Sequence, residues 1–341
     1  MKILFVAAFS ENGEEAYELY NFYKPLTQLV DSVIKFDFLK IMRDQGKPFM
    51  NQAILEIVKT EKPDITFFVP HTDQFIPKIV NEINMYTISI GYLFDDPWRI
   101  EYSRFWAKHF TYITTSDING VKKFNDAGFS NVIYSPFACN TNFFIKKDLP
   151  KIYDVSFVGQ YNPYRDWYLK KLMKAGIIVN VWGPGWKSGF INYSEMIDIF
   201  NQSRINLNLS NSISWDIRFL LALNRPIMDT LQTWRSTLRT YYMKDRKTRE
   251  MVKGRHFEIN ACGGFQLSYY AEGLESHYQI GKEIAIYESI EEMIDKIRYY
   301  LKYKEDRELI AQKGYKRTLQ EHDMGQRYRS IFNQLGLNVI K

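Results

Sequence analysis

A short segment near position 260 combines a cation, a carboxylate and two glycines at spacings that suit recognition of an anion and a sugar. Arg255 leads into a predicted short helix over Phe257–Cys262, and Glu258 falls in its first turn. Gly263 and Gly264 end that helix before a predicted strand. Exposed N–H groups at a helix start hold anions, and an arginine adds a full charge with two-pronged geometry. Glu258 would then accept hydrogen bonds from a ribose diol, unless its carboxylate only offsets the helix dipole and the glycines only cap the helix.

Candidate general bases follow two predicted strands in the first half of the chain. Asp95 and Asp96 follow a strand predicted over Tyr86–Tyr92, and His71 follows a strand predicted over Asp64–Val69. A carboxylate or an imidazole at hydrogen-bond distance takes the proton of an attacking hydroxyl, and repulsion between adjacent carboxylates raises one pKa. The alternatives are an ordinary Asp-Asp-Pro turn and an incidental loop histidine. Nothing in the sequence distinguishes the two aspartates.

The net charge of +6 is concentrated in one segment. Between Arg235 and Arg255 there are eight basic and two acidic residues, whereas the rest of the chain holds 37 of each sign. Such a local excess favours an anionic partner such as a phosphate, a nucleic acid or a lipid headgroup. The cations that we single out as a docking surface for an acceptor or polyanion are Lys244, Arg246, Lys247 and Arg249. A solvated helix face is the alternative.

The composition excludes several classes of protein. With 24 Phe, 24 Tyr and 7 Trp among 341 residues, the chain lacks the composition of disordered or collagen-like proteins. Its two cysteines, Cys139 and Cys262, cannot make a disulfide framework, and its five histidines show no zinc-ligand spacing, so we predict no metal site. No apolar stretch approaches the roughly 20 residues of a membrane span, and the first ten residues are better explained as a strand than as a leader. We therefore expect a cytoplasmic protein without a transmembrane segment.

Strand-like and helix-like segments alternate through residues 1–150. This order predicts a doubly wound parallel sheet, because parallel neighbours need a crossover connection that covers a face of the sheet. The predicted strands are Ile3–Phe9, Val33–Phe38, Asp64–Val69, Tyr86–Tyr92, Phe110–Thr114 and Asn131–Tyr134. The predicted helices are Glu14–Val30, Phe49–Thr60, Gln74–Asn84, Glu101–Lys108 and Asn119–Ala127.

A second alternation runs through residues 151–322 and predicts a second domain of the same kind. Its predicted strands are Tyr153–Val158, Ile177–Trp182, Arg204–Leu209, Phe265–Tyr269 and Ile284–Tyr287. A basic insertion over about 212–254, with helical character, interrupts it. A last helix within 323–341 is expected to pack back on the N-terminal domain. Two such domains facing each other would form a central cleft at the carboxyl ends of both sheets, where open α/β sheets bind ligands.

The stretch from Arg255 to His322 resembles the C-terminal domain of the CgeB-like spore-maturation glycosyltransferases, which are GT-B-fold enzymes related to the group 1 (GT4-type) transferases. The dense agreement covers Phe-Glu-x-x-Ala-Cys-Gly-Gly-Phe-Gln-Leu at 257–267, Gly281-Lys282-Glu283-Ile284, Gly314-Tyr315-x-Arg317 and Glu321-His322. Looser agreement covers 154–159, 181–186 and 94–97. The insertion departs from the family pattern, in which the Arg-x-Phe-Glu block follows its preceding strand closely.

The resemblance implies a donor site on the second domain. Glu258 would hold the nucleotide ribose, Gly159 would let the backbone approach a diphosphate, and Arg165 would reach the same phosphates. Trp186 would stack on the nucleobase, although a turn with a packed tryptophan explains that loop equally well. The full predicted donor set is Gly159, Arg165, Gly183, Trp186, Arg255, Glu258, Gly263, Gly264, Phe265 and Gln266.

The sequence therefore predicts a GT-B glycosyltransferase that moves a sugar from a nucleoside diphosphate, best a UDP-sugar, to an acceptor hydroxyl without a metal or a cofactor. Expected acceptors include a glycan, a wall polymer, a lipid-linked phosphate and modified DNA. One alternative is a GT-B nucleotide-sugar epimerase, which needs no acceptor. Another is a nonenzymatic two-lobed protein that binds nucleic acid or another polyanion, and its binding would weaken steeply with salt.

Overall fold

The computed structural model describes residues 1–11, 14–210, 247 and 249–337. These residues divide into two compact units, one from Met1–Phe143 with Met324–Lys341 and the other from Phe144–Asp323. Each unit contains one parallel sheet with helices. Of the predicted helical insertion over about 212–254, positions 212–246 and position 248 lie outside the described residues.

The first unit is built on a six-stranded parallel sheet. The strands of this unit are β1 (Lys2–Ala7), β2 (Ser10–Glu11), β3 (Glu14–Glu15), β4 (Ser32–Asp37), β5 (Ile65–Phe68), β6 (Ile88–Tyr92), β7 (Tyr112–Thr115) and β8 (Val132–Tyr134). The sheet order is β4-β1-β5-β6-β7-β8, while β2 and β3 form a separate hairpin. The helices are α1 (Lys24–Leu29), α2 (Phe38–Gln45), α3 (Lys47–Glu61), α4 (Pro77–Ile83), α5 (Asp96–Ala107) and α6 (Gly120–Asp126), with a π-helix at Leu19–Tyr23.

Alternate residues of β1 belong to two different hydrophobic layers. Phe5 packs in one layer with Phe22 and Phe67, whereas Val6 packs in the other with Phe68. All these side chains are buried. Burial on both faces is what a parallel sheet with helical crossovers requires, and it explains why β1 is a continuous apolar run.

The second unit is built on a five-stranded parallel sheet. Its strands are β9 (Tyr153–Val158), β10 (Asn180–Trp182), β11 (Ser203–Asn208), β12 (Gln266–Tyr269) and β13 (Ala285–Tyr287), in the order β10-β9-β11-β12-β13. Its helices are α7 (Pro163–Lys174), α8 (Tyr193–Gln202), α9 (Gly254–Ala261), α10 (Ile290–Lys302) and α11 (Lys304–Glu321). The two parallel sheets confirm the predicted α/β class with two doubly wound domains.

The last helix, α12 (Met324–Gln334), belongs to the first unit. Ile331 and Phe332 are fully buried in the same layer as Phe5. The Tyr328 hydroxyl donates to the carbonyl of Phe22 at 3.0 Å. The chain therefore leaves the first unit after residue 143 and returns to it at its end.

Two predicted helices of the first unit differ from the structure. The sequence predicts one helix over Glu14–Val30, but the segment contains β3, the π-helix and the short α1. Helix α2 was not predicted; the Asp37 side chain accepts from the Lys40 N–H at its start, and Gly46, with φ 85°, separates it from α3. Helix α5 begins at Asp96, five residues before the predicted Glu101. The Asp-Asp-Pro motif is thus a helix start and not a free turn.

Candidate functional site

The carboxyl edge of the second sheet has the geometry of a ligand site. The strand order places β9 between β10 and β11, so the crossovers leave β9 in opposite directions. Ligands of open α/β sheets bind outside the carboxyl ends of the strands at such a switch point. The residues that follow the two strands there are Gly159 and Gln160 after β9, and Leu209 and Ser210 after β11.

Arg165 spans this switch point. It stands in the first turn of α7, where its N–H is capped by the Asn162 side chain at 3.0 Å. Its Nε donates to the Leu209 carbonyl at 3.0 Å and its Nη1 to the Gln160 carbonyl at 2.7 Å. Burial lowers the pKa of Arg165 to about 10, so the group stays cationic at neutral pH. Within the described residues it forms no ion pair; its partners are the two carbonyls and the Phe157 ring, whose centroid lies 5.5 Å from Cζ. A partly buried cation with such partners favours an anionic ligand.

Gly159 and the loop of Gly183 and Trp186 pack together beside Arg165. A Cβ on Gly183, whose φ is 131°, would lie 2.4 Å from the Gly159 oxygen, so this position requires glycine. Trp186 Nε1 donates to the same Gly159 oxygen at 2.8 Å, and its ring meets that of Tyr161 edge-on at 4.8 Å. These contacts fix the Trp186 side chain against the residues that follow β9, and the side chain remains partly exposed. A Cβ on Gly159 would itself lie 2.8 Å from the Phe157 ring, so packing alone accounts for this glycine.

Arg255 lies in the first turn of α9, whereas Glu258, which the sequence predicts for the first turn, lies one turn further along the helix. Arg255 Nη1 lies 2.7 Å from Glu258 Oε2, and the two side chains are 27% and 5% exposed. Because α9 leads into a parallel strand, its first turn lies at the carboxyl edge of the sheet, and the charge of Arg255 acts on Arg165. Gln266 supports this turn from β12 by donating to the Arg255 carbonyl at 3.0 Å. Six predicted donor residues thus come together at one edge: Gly159, Arg165, Gly183, Trp186, Arg255 and Glu258.

Three of the predicted donor residues, Gly263, Gly264 and Phe265, lie apart from Arg165 in the structure. These residues follow the end of α9 and precede β12, which places them at the amino edge of the sheet, away from the switch point. A Cβ on Gly263 would meet the Lys146 side chain at 2.9 Å, and one on Gly264 would lie 2.8 Å from Asn206 Nδ2. Phe265 is buried and packs on the ring of Tyr300 at 4.5 Å. The close contacts of the glycine pair are with side chains packed around the turn from α9 to β12.

Lys247, which the sequence predicts as an exposed docking residue, is buried in the structure. The residue is only 8% exposed, because its Nζ donates to the Ser210 carbonyl at 3.0 Å and pairs with Glu250 at 2.6 Å. It therefore belongs to the end of β11, beside Arg165. Lys244 and Arg246 lie outside the described residues, whereas Arg249 is exposed.

The two aspartates predicted as general bases differ sharply in the structure. Asp96 is 1% exposed and accepts a hydrogen bond from Ser103. Burial raises the pKa of Asp96 to about 6, against the opposing effect of hydrogen bonds from Ser103, Thr115 and the Ser116 backbone. Asp95 is partly exposed and adopts a left-handed conformation, with φ 65°, at the start of α5. The accessible carboxylate at the carboxyl end of β6 is that of Asp95.

His71 forms a pair with a carboxylate that sequence reasoning missed. Its Nε2 lies 2.8 Å from Glu18 Oε1, and the side chains are 34% and 10% exposed. The Gln74 side chain accepts from the His71 N–H at 3.2 Å, and Arg99 Nη1 donates to the His71 carbonyl at 3.0 Å. His71 follows β5, which adjoins β1 at the switch point of the first sheet. A buried carboxylate that orients a half-exposed imidazole is an arrangement that takes up a proton.

No sequence signal marked Glu18 as functional. It stands in an aromatic-rich stretch whose pattern predicts an ordinary helix, and it lies 53 positions from His71. Within the described residues, no group of three or more His, Cys, Asp or Glu is placed to hold a metal ion. None of the described helices has the length and apolar character needed to cross a bilayer.

A family model described as glycosyl transferase-like matches residues 165–333, just under half of the chain. The match begins at Arg165 and includes α9 with Arg255 and Glu258. Among curated proteins, no sequence matches this chain.

Solved structures match over nearly the full length at low identity. Anabaena HepE in complex with UDP-glucose has a TM-score of 0.64 at 11% identity, covering 98% of this chain and 99% of that one. A glycosyltransferase from Rickettsia africae has a TM-score of 0.62 at 12% identity, covering 99% of both chains. Sucrose-phosphate synthase from Thermosynechococcus elongatus has a TM-score of 0.61 at 8% identity, covering 98% and 99%. These likenesses show the GT-B fold, and with the family match they support nucleotide-sugar glycosyl transfer.

Proposed function

We propose that this chain transfers a sugar from a uridine diphosphate sugar to an acceptor hydroxyl. The C-terminal unit would bind the donor, and the N-terminal unit would bind the acceptor and take up its proton. The observation that carries the proposal is Arg165, a partly buried cation that joins the ends of β9 and β11 and has no ion-pair partner among the described residues. The complex of HepE with UDP-glucose supports the choice of uridine diphosphate.

Each donor residue would meet a different part of the nucleotide. Arg165 would bind the diphosphate, and Trp186 would offer its partly exposed ring to the base. Glu258, whose Oε2 atom Arg255 contacts, would accept hydrogen bonds from the ribose hydroxyls. The Arg255–Glu258 pair fixes that carboxylate in place before the nucleotide binds, which lowers the cost of ordering it.

The reaction joins the acceptor oxygen to the anomeric carbon of the donor and breaks the bond from that carbon to the diphosphate. The diphosphate gains negative charge as it leaves, so a fixed cation such as Arg165 stabilises the transition state more than the ground state. Such cations take the part that a divalent ion plays in other transferases. We therefore expect a chelator to leave turnover unchanged, and no cofactor to be needed.

The acceptor proton would pass to His71 or Asp95. His71 has the stronger case, because Glu18 orients its ring and neutralises the imidazolium that forms. Asp96 is excluded as a base by its burial. Exposed Arg249, with Lys244 and Arg246, retains the proposed role of docking an anionic acceptor.

The resemblance to CgeB-like proteins supports membership of that subfamily, which we propose on the motifs around Glu258. The chain has only two cysteines and both are buried, so we propose a cytoplasmic location.

A binding screen followed by a turnover assay tests the proposal. UDP should raise the melting temperature of the full chain more than GDP, TDP or CDP does, because a ligand that binds only the folded state stabilises it. UDP-glucose should then release UDP faster in the presence of a polyol or glycan acceptor, with or without EDTA. Consumption of the donor to an isomeric UDP-sugar with no acceptor would identify an epimerase instead. Failure of every nucleoside diphosphate to bind would reject a donor site.

A further inference from the structure

Lys247 is a buried lysine at the carboxyl edge of the second sheet. Its ammonium group and the Glu250 carboxylate lie 2.6 Å apart, and the two side chains are 9% and 7% exposed. The same ammonium donates to the Ser210 carbonyl at 3.0 Å. Removing a lysine from water costs free energy that an ion pair repays only in part, so a lysine in this position calls for an explanation.

Two cations bind consecutive carbonyls at the end of β11. Arg165 donates to Leu209 and Lys247 to Ser210, the first two residues after the strand. Burial lowers the pKa of Lys247 to about 8, with smaller effects in the same direction from Lys253 and Arg165 and an opposing effect from Glu250. Glu250 acts on Arg165 as well. The Glu250 carboxylate therefore pairs with Lys247 and acts on Arg165 without forming an ion pair with it.

Several cations among the described residues lie together at this edge. They are Arg165, Lys247, Lys253 and Arg255, and the carboxylates that act on them include Glu250 and Glu258. A nucleoside diphosphate carries several negative charges and more acceptor oxygens than a carboxylate, so it satisfies these donors better than Glu250 does.

We propose that Lys247 is a ligand of the donor diphosphate and that the Glu250 carboxylate occupies the position of the diphosphate at Lys247 when no nucleotide is bound. This inference rests on the proposed function, since it assigns two further residues to the same donor site. When the diphosphate binds, its oxygens replace the Glu250 carboxylate at Lys247 Nζ. The carboxylate moves toward solvent, and binding includes the cost of breaking the Lys247–Glu250 pair. The segment before α9, which departs from the family pattern, thus contributes to donor recognition.

Opposite effects of two neutral substitutions test the exchange. Lys247→Met should weaken UDP binding to the full chain by about 10-fold or more, the usual range for loss of a charged hydrogen bond. Glu250→Gln keeps the shape of the side chain and removes the competing charge, so UDP should bind about 3-fold to 10-fold more tightly. Uridine carries no phosphate, and its affinity should not change in either variant. Titration calorimetry with UDP and with uridine measures all four values.

The chain offers a matched control in the same unit. Lys296 pairs with Glu292 at 2.6 Å and donates to the Ile286 carbonyl at 2.7 Å, which is the same set of partners away from the switch point. Lys296→Met and Glu292→Gln should leave the affinity for UDP unchanged. Lys247→Arg keeps the charge and should bind UDP within about 3-fold of the wild-type chain, and it serves if Lys247→Met does not fold.

The outcomes separate the inference from the proposed function. If wild-type chain binds UDP but the Lys247 and Glu250 variants behave like the Lys296 and Glu292 controls, the pair is structural and the inference is overturned while the donor site stands. If Glu250→Gln weakens UDP binding, Glu250 is not a competitor for the phosphate, and that part is overturned. If wild-type chain binds no nucleoside diphosphate, the proposed function itself fails.

Discussion

The two units share a strand order, yet their carboxyl edges carry opposite chemistry. In each sheet the first strand along the chain lies between an edge strand, which comes second in the chain, and the strand that comes third. Both sheets therefore have a switch point beside their first strand. At the first sheet this place holds His71 paired with Glu18, and a neighbouring strand end holds Asp95. At the second it holds Arg165 and Lys247. The topology determines where a ligand binds, and the residue types determine which ligand it is.

This difference matches the two partners of a transfer reaction. An imidazole oriented by a carboxylate accepts a proton, whereas guanidinium and ammonium groups bind an anion. The first edge therefore suits an acceptor hydroxyl and the second a diphosphate. The comparison predicts that substitutions at one edge alter the kinetics of one substrate and leave binding of the other unchanged.

The largest expected effect is at Arg165. Arg165→Met should lower kcat/KM by about 100-fold to 1000-fold, because the cation acts on charge that develops in the transition state. UDP affinity, measured by titration calorimetry, should fall as well. Arg298→Met is the control, since Arg298 also donates to a backbone carbonyl, that of Ala175, just beyond the far end of α7. If Arg165→Met and Arg298→Met lowered kcat/KM and UDP affinity equally, the edge that holds Arg165 would have no special part in binding the anion.

The second prediction concerns the Glu18–His71 pair. His71→Asn should lower kcat by about 100-fold or more, the common contribution of a general base, and Glu18→Gln by a smaller factor. The UDP dissociation constant should stay unchanged in both, because the residues that we propose as phosphate ligands lie on the other unit. His109→Asn is the control; His109 contacts Asn81 at 3.1 Å on the same unit. Loss of UDP affinity on substitution of His71 would show that the two edges do not divide the substrates.

The third prediction uses the pKa of Asp96. Burial raises that pKa to about 6 in the folded chain, above the ordinary 3.8, so the folded state holds a proton that the unfolded state releases. Stability from this group is thus present below about pH 4 and is lost as the pH rises toward 6. Asp96→Asn stays neutral, so its free energy of unfolding relative to wild type should rise by about 2–3 kcal/mol between pH 4 and 7.

Urea unfolding of both chains at several pH values measures this difference. Asp95→Asn is the matched control, because Asp95 is partly exposed and adjacent in sequence. A wild-type curve parallel to that of Asp96→Asn would show that Asp96 is ionised in the fold. It would then again be a candidate base at the first edge.

The fold, and the positions of several proposed donor residues, were predictable from local sequence. Runs such as Val155–Val158 and Ile205–Leu207 are apolar on one side and short, and they indicate buried strands without any knowledge of the rest of the chain. Arg165 and Glu258 follow such signals at fixed distances. Their placement at one edge then follows from the rule that parallel strands end on the same side.

The sequence-based expectations for individual residues differ from the structure where a residue's surroundings depend on distant parts of the chain. The charge run predicts an exposed Lys247, because such runs are normally solvated, but Ser210 and Glu250 bury it. Gly263 shares a motif with Glu258, which suggests a common role, although the five residues from Glu258 to Gly263 advance along the axis of α9 by about 7.5 Å. Glu18 has no local signal, since only the fold brings it to His71. Burial and long-range pairing are tertiary properties, and a single sequence does not contain them in local form.

The smallest expected effect concerns the remaining docking residues. Changing Lys244, Arg246 and Arg249 together to Gln should weaken binding of a single-stranded oligonucleotide used as a polyanion probe. It should also flatten the dependence of log K on log salt by about 0.7 for each phosphate that the protein no longer neutralises. UDP affinity should not change, whereas Lys247→Met should weaken UDP and leave the salt slope intact. Fluorescence anisotropy at increasing salt measures the oligonucleotide, and titration calorimetry measures UDP. If the triple variant bound both the oligonucleotide and UDP more weakly, those cations would belong to the donor edge with Lys247, and the basic segment would then serve one substrate and not two.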